Sequence, residues 1–433
     1  MSKCQVKTIY EHGKLDYADI SDCFNSEDFS LLERFLLKNK LSNVFDFQKN
    51  HLKAKNHVGV VKYKNYQFEI LPKFLAHDGD DKEIVLKNLF HMLKFTKRLQ
   101  VQESTISSLS KSNNPFLEVL ISSYTTSLLD GYLKSVPKNY KREEDNLNFI
   151  KGKLNFNGNI KQNICNKAKF HCVYDEFCED IALNQAFLFV TIMLKKITTT
   201  NENQKKLKFI ENILIDVSFK QIDFQKAKKI VLSRTQKTFE YPFELALMFL
   251  GNSSFEMSGR TFRSLAIVWD MNKLFEEFIF RFMKTNKENL GIAGIKEKKG
   301  KMLFKDSANL FGESLEGATK IGGTELDILV SLVDGPEIIF DAKYKMHDGE
   351  RNYFAPADVY QMVAYESLHN TNQAVLIYPQ IVEEQFMWKH KLNSEKENKF
   401  IYSTCIDLRK DLKAQNEKLT EQLKKIFMAL TQV

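Results

Sequence analysis

Two stretches decide the fold: Thr324-Glu325-Leu326-Asp327-Ile328-Leu329-Val330 and Ile338-Ile339-Phe340-Asp341-Ala342-Lys343-Tyr344. Each is an apolar run interrupted by charge, and Asp334-Gly335-Pro336 between them is a turn signal. They read as an antiparallel hairpin with strands over 325–333 and 337–345. Alternate side chains of a strand share a face, so Asp341 and Lys343 project together while Phe340 and Ala342 project the other way. An odd-numbered turn keeps Asp327 on the face of Asp341, about one diagonal step from it. Two carboxylates converging beside a lysine suit phosphodiester hydrolysis. The carboxylates hold a hard divalent cation through oxygen. That cation polarises a phosphate and lowers the pKa of a bound water. The lysine positions or helps to deprotonate the water, or stabilises charge on the phosphate. An arbitrary Asp-x-Lys on a strand is more often an exposed, salt-bridged face. Ile338, Ile339 and Phe340 set this one apart, because they mark a central strand where unpaired charge is costly.

The flanking segments fit a mixed α/β domain over residues 251–433. A helix is predicted over 357–368. Gln361 and Tyr365 sit at i and i+4 on it, with Asp358 on the same stripe, which by itself describes a half-buried polar seam. A helix over 270–284 has an apolar face of Met271, Leu274, Phe275, Phe278, Ile279 and Phe282. Glu276 and Glu277 lie on opposite flanks of that face, and periodicity does not decide which of them meets the carboxylate pair. Lys296, Lys298, Lys299 and Lys301 follow and read either as a phosphate-binding loop or as a solvated turn. A strand over 373–378 and a terminal amphipathic helix marked by Leu412, Leu419, Leu423, Ile426 and Leu430 complete the domain.

Upstream, residues 1–250 change from β-rich to mostly helical near position 80. Val58–Tyr63 and Gln67–Leu71 read as a hairpin closed by Pro72. Helices are predicted from about 82, over 114–133, 180–197 and 204–215, with a short strand or hairpin over 151–159. Gly251-Asn252-Ser253-Ser254, within 246–260, reads as a loop and carries the expected domain boundary.

Bulk properties narrow the function classes. The 433 residues have room for two or three cores, 35 of them are phenylalanine, and the net charge of +8 suits a polyanionic partner without demanding one. None of the six cysteines forms a C-x-x-C pair, so a zinc ribbon is not expected, and Cys165, Cys172 and Cys178 read as buried thiols. No apolar run approaches the ~20 residues of a membrane span, and the first residues offer no signal-peptide core, so the expected setting is cytoplasmic.

Taken as a set, these elements resemble the McrC family, the nuclease subunit of McrBC-type modification-dependent restriction systems, within the PD-(D/E)xK superfamily. Asp327 followed by Asp341-Ala342-Lys343 matches the split D…(D/E)-x-K motif, and Gln361-Met362-Val363-Ala364-Tyr365 matches its Q-x-x-x-Y element. Asp270–Glu276 resembles the first nuclease helix, whose glutamate falls on Glu276. Val58-Gly59-Val60, Glu69–Lys73, Lys151–Leu154 and Asp175-Glu176-Phe177 resemble the family's N-terminal pattern. Leu326 stands where the superfamily often has proline, a backbone-shaping residue and not a ligand. The resemblance implies a restriction-endonuclease-like domain at 251–433 and a partner-binding region at 1–250. It implies Asp327, Asp341 and Lys343 as catalytic residues, Glu276, Gln361 and Tyr365 in support, and Mg²⁺ or Mn²⁺ held by Asp327, Asp341 and the Ala342 carbonyl. It also implies double-stranded DNA as substrate and a GTP-hydrolysing AAA+ motor (McrB-like) as partner, the motor reading the methylated base. The chain has no G-x-x-x-x-G-K-[ST], which places any such motor on another chain. A stand-alone nuclease and a non-cleaving activator of the motor are the alternatives.

Overall fold

Apolar alternation in the first 71 residues resolves into six strands: β1 (Gln5–Tyr10), β2 (Lys14–Asp16), β3 (Phe45–Phe47), β4 (His51–Ala54), β5 (His57–Tyr63) and β6 (Tyr66–Leu71). The computed structural model describes residues 5–20, 26–63, 66–73, 82–99, 101, 105–106, 115–255, 262–302, 323–333, 335–345, 355–380, 386–393, 398–414 and 416–431. Helix α1 (Ser26–Lys38) and α2 (Lys82–Phe95) flank the hairpin region in sequence. The chain is mixed α/β and forms two compact units. One comprises Met1–Lys7, Val60–Phe68 and Lys111–Ile267; the other comprises Thr8–Gly59, Glu69–Ser110 and Val268–Val433.

The first unit is mainly helical. Its helices are α3 (Pro115–Tyr132), α4 (Phe156–Asn163), α5 (Ala182–Ile197), α6 (Asn201–Ile213), α7 (Phe224–Ala227) and α8 (Glu240–Gly251). Aromatic residues fill its core: Phe187 lies edge-on to Tyr132 and Phe243, with ring centroids 6.2 and 6.1 Å away. Strands β7 (Asn139–Leu147), β8 (Lys153–Leu154) and β9 (Phe170–Cys178) form a separate sheet in the order β7-β9-β8. The long β7 and β9 are absent from the sequence expectation. The predicted strand over 151–159 shrinks to β8, because Asn155 caps a helix instead, accepting from Gly158 N at 3.1 Å. Gly152 before it needs its φ of +69°, and a Cβ there would meet the Val173 carbonyl at 2.6 Å. Cys172 is buried, but Cys165 is exposed and Cys178 half-buried, so only one of the three is the buried thiol expected.

The stretch expected to be a loop over 246–260 is ordered through 255. Helix α8 runs to Gly251, and β10 (Ser253–Phe255) pairs antiparallel with β11 (Phe262–Asp270); residues 256–260 lie outside the described residues. Strands β1, β6, β5, β11 and β10 form a five-stranded sheet in that order.

The second unit is organised on a six-stranded mixed sheet. Its strands are β12 (Ile292–Met302), β13 (Gly323–Leu332), β14 (Glu337–Ala342), β15 (Gln373–Pro379), β16 (Met387–Lys391) and β17 (Phe400–Ile406), in the order β12-β13-β14-β15-β17-β16. β14 pairs antiparallel with β13 and parallel with β15, and is the central strand expected of Ile338, Ile339 and Phe340, all fully buried. Three helices accompany the sheet: α9 (Met271–Thr285), α10 (Pro356–His369) and α11 (Asn416–Thr431). Met362 and Tyr365 of α10 pack with Leu329, Ile339 and Leu376 on one face. Phe427 of α11 meets Phe340 on the other, ring centroids 5.3 Å apart. The segment holding Lys296, Lys298, Lys299 and Lys301 is neither loop nor turn. It is β12, the edge strand paired with β13. Charge on an edge strand discourages pairing with other chains, so strand formation and lysine content are compatible.

Candidate active site

The site grows from the register of β13 on β14. Ile328 pairs with Phe340 and Ser331 with Glu337, so one further step sets Asp327 directly opposite Asp341. The parity expected from the sequence holds, but the diagonal offset does not. Leu332 N donates to the Pro336 carbonyl at 3.4 Å, shifting the turn by one residue towards the N-terminus. Ala342 N donates to Asp327 Oδ2 at 3.3 Å, tying that carboxylate to the neighbouring strand.

Lys343 lies just past β14, where its N–H donates to the Ile377 carbonyl at 2.8 Å and so keeps the strand geometry. Its Nζ stands 2.7 Å from Asp341 Oδ2 and donates to Gln361 Oε1 at 3.0 Å. Gln361 Nε2 donates to Tyr365 Oη at 2.6 Å, and the Tyr365 hydroxyl donates to the Glu325 carbonyl at 2.8 Å. The Q-x-x-x-Y pair is thus a relay that fixes the ammonium of Lys343 against the backbone of β13. Asp358, predicted on the same stripe, does something else. It is buried and takes Lys345 Nζ at 2.9 Å on both oxygens, fastening the first turn of α10 to the chain beyond β14. Gln361→Ala should therefore lower kcat for any reaction that uses Lys343 by roughly tenfold to a hundredfold, with little change in KM or melting temperature. No change in kcat for Gln361→Ala, or a loss matched by an equal fall in melting temperature, would break the relay argument.

The electrostatics are unbalanced. Burial, then the charges of Asp341 and Glu276, push the Asp327 carboxyl up to about 8. Burial also raises Asp341, against the pull of Lys343. Burial acts to lower Lys343, but the charges of Asp341 and Asp327 outweigh it and its net shift is upward. One lysine therefore faces two carboxylates. Asp341 is fully buried, and it meets the Lys343 ammonium, 2.7 Å from Oδ2, and the neighbouring Asp327 carboxyl, so a single ammonium serves both acids. Carboxylates crowded this way are costly unless a further cation meets them. Two carboxylates and the Ala342 carbonyl suit a hard divalent ion that retains several waters. Among the described residues no three His, Cys, Asp or Glu side chains form a ligand group by themselves, so water would have to complete the shell.

Helix α9 supplies the remaining acid. Asp270 caps it, accepting from Asn272 N at 3.0 Å. Glu277 is committed to Arg98 at 2.6 Å and Arg281 at 2.9 Å; both glutamates line a cleft of about 70 Å³ with Asp327, and Glu276 is the one whose charge acts on the Asp327 carboxyl. The choice that periodicity left open is made by these ion pairs. Arg98 also lines the cleft. Nothing in the sequence around it signals this, because it reaches the site from a segment more than 170 residues away, with |i−j| of 179 to Glu277.

A central strand bearing an acid-x-lysine, an acid opposite it and a glutamate from a preceding helix thus meet in one acidic site on a mixed sheet. The chain belongs to the McrBC 5-methylcytosine restriction system component family, whose model matches residues 52–379. Among solved structures, it is similar to a chain of the refined half-complex from the tetradecameric assembly of Thermococcus gammatolerans McrB AAA+ hexamers with bound McrC. The identity is 21% over 98% of this chain and 100% of that one, with a TM-score of 0.74. A chain of the Thermococcus gammatolerans McrBC complex is 23% identical over 68% of this chain and 90% of its own length, with a TM-score of 0.53. At these identities the likeness is one of fold. No curated protein sequence matches the chain.

Proposed function

We propose that this chain is the DNA-cleaving subunit of a McrBC-type restriction system, a divalent-metal endonuclease of PD-(D/E)xK type that works with an AAA+ GTPase motor in the cytoplasm. The observation that carries the reading is the Asp327–Asp341 pair: two carboxyls set opposite each other, Asp341 fully buried, with the single ammonium of Lys343 between them. Asp327, Asp341 and the Ala342 carbonyl would hold Mg²⁺ or Mn²⁺. Such an ion, when bound, supplies Lewis acidity toward a phosphodiester and a water of lowered pKa. Lys343, kept protonated by its two acidic neighbours, orients the attacking water and stabilises charge on the phosphate. A charged ammonium cannot accept a proton, so of the roles open to this lysine the base is the one disfavoured. Gln361 and Tyr365 hold Lys343 in place, Glu276 shapes the charge around Asp327, and the edge strand carrying Lys296, Lys298, Lys299 and Lys301 is assigned to the DNA backbone.

The partner reading rests on the family and on one surface. Residues Phe149, Ile150, Phe156, Ile160 and Ile164 of the first unit are each 59–73% exposed, around the small sheet β7-β9-β8. Large apolar side chains left exposed within one short stretch of chain suit a protein contact. We assign residues 1–250 to the motor contact, centred there.

The test is cleavage of methylated and unmethylated plasmid by the purified chain, with Mg²⁺ or EDTA, and with and without the AAA+ partner and GTP. GTP hydrolysis is read in the same mixtures. Metal-dependent cutting that needs partner and GTP is expected. Cutting by the chain alone would make it a stand-alone nuclease. Stimulated GTP hydrolysis with no cutting in any mixture would make it an activator.

A further inference from the structure

The cleft beside Asp327 has an acidic wall and a basic rim. Four acids, Glu276, Glu277, Glu297 and Asp327, line it together with Phe280, and the two exposed bases Arg98 and Lys273 form its rim. Arg98 is not a loosely placed surface residue. Helix α2 ends in a left-handed turn at Lys97, with φ of 57°, and Arg98 N and Leu99 N both donate to the Leu93 carbonyl, at 2.9 and 3.1 Å. This closes the helix end, and Leu99, fully buried, locks it into the core. From that fixed point the guanidinium crosses to α9. There Nε and Nη2 donate to the same oxygen of Glu277, at 2.9 and 2.6 Å. Arg281 Nε donates to the other oxygen at 2.9 Å. One carboxylate thus serves two guanidiniums, which leaves a net positive charge on that side. The Arg98 side chain remains 39% exposed. Lys273, one helical turn before Glu277, is exposed on the same rim.

We propose that Arg98 and Lys273 form a phosphate-binding site for the DNA strand entering this cleft, with Arg98 contributed by the N-terminal part of the chain. The inference rests on the nuclease reading. A guanidinium already held at fixed height by Glu277 presents a planar fork to phosphate oxygens at little entropic cost. A backbone phosphate at the rim would lie next to the carboxylates proposed to hold the metal ion. The acidic wall repels the same backbone, so the rim decides where a strand can approach.

A simpler role for Arg98 is a strut that only holds α9 through Glu277. The two roles separate on Glu277. The experiment uses the full-length chain carrying Asp341→Asn and a fluorescent 30-base-pair duplex as probe, and reads Kd across a salt series. Arg98→Ala and Lys273→Ala should each weaken binding about tenfold and reduce the slope of log K against log salt by about 1. Arg98→Lys should keep the slope, whereas Glu277→Gln should leave binding unchanged or tighter. Equal losses for Arg98→Ala and Glu277→Gln, with matching falls in melting temperature, would show a strut and overturn the proposal. An unchanged slope in Arg98→Ala, or no duplex binding at all, would also overturn it. Failure of the nuclease reading looks different: the unsubstituted chain would not cut in any mixture, while the Arg98-dependent slope would persist.

Discussion

Asp341→Asn should abolish metal-dependent cleavage and raise the melting temperature of the metal-free protein. Loss of activity of at least about a thousandfold is expected, because the substitution removes the charge opposite Asp327 that a divalent ion requires. The gain in stability follows from the same geometry. With one ammonium facing two carboxyls, the metal-free site carries an excess negative charge once Asp327 ionises, near pH 8 and above. Asparagine keeps the shape and leaves Asp327 and Lys343 as a balanced pair, which should stabilise the fold by roughly 1–2 kcal/mol at pH 8.

The pH dependence has a definite sign. Asp327 is raised in the fold from 3.8 to about 8, so the native state binds more protons than the unfolded chain between those values. Its contribution is fully present below about pH 4 and is lost as pH rises towards and through 8. In EDTA the melting temperature of the unsubstituted protein should therefore fall across that window. Mg²⁺ should restore it at pH 8, and Asp341→Asn should show a shallower fall and no response to Mg²⁺. Scanning fluorimetry at several pH values with EDTA or Mg²⁺ reads all of this. If Asp341→Asn still cuts, or if Mg²⁺ leaves the unsubstituted protein unmoved at pH 8, the metal assignment is wrong.

The parts of the molecule legible in the sequence are those in which side-chain pattern and burial coincide. Ile338-Ile339-Phe340-Asp341 identifies a central strand because an apolar run that long has no face to give to water, and β14 is buried from Ile338 to Ala342. Parity across the turn followed from strand geometry. The register itself did not, because it depends on whether Pro336 or Glu337 starts the ladder. Glu276 and Glu277 were symmetric about the apolar face of α9, and only the approach of Arg98 from a distant segment separates them. That approach is a product of tertiary packing, which no local window contains. β7 is illegible for a different reason. Asn139-Tyr140-Lys141-Arg142-Glu143-Glu144-Asp145-Asn146-Leu147 has no fully buried residue along its length, so the period-two signal has nothing to alternate. The lysines of β12 hide a strand likewise, being charges on a sheet edge.

A second large effect is expected far from this site in the sequence, at Glu118. Like Asp341 it is a fully buried carboxylate, and burial alone would mark both as functional. Their surroundings part them. Glu118, in the first turn of α3, accepts from Thr198 Oγ1 at 2.6 Å, Thr199 N at 2.6 Å, Thr199 Oγ1 at 3.0 Å, Thr200 Oγ1 at 2.9 Å and Asn203 Nδ2 at 2.7 Å. Those donors come from the turn joining α5 to α6 and from α6 itself, so this one side chain holds the turn and a helix start onto α3. Its acceptor capacity is filled, and no cation or substrate is needed to explain it. Glu118→Ala would leave these donors without their acceptor, the buried Thr198 and Asn203 out of reach of water, at a cost of roughly 3–5 kcal/mol. For a unit of this size that corresponds to a fall of about 10 °C in melting temperature. Glu118→Gln keeps the volume but turns an amide NH₂ toward donors, and should recover only part of the loss. The effect should be the same in Mg²⁺ and in EDTA, the reverse of what is expected at Asp341. A Glu118→Ala protein that melts within 2–3 °C of the unsubstituted chain, well under the ~10 °C expected, would mean the turn holds without its acceptor. The contrast makes donor count, more than burial, the property that separates the two carboxylates: Glu118 is saturated by its own fold, whereas Asp341 and Asp327 share the one ammonium of Lys343.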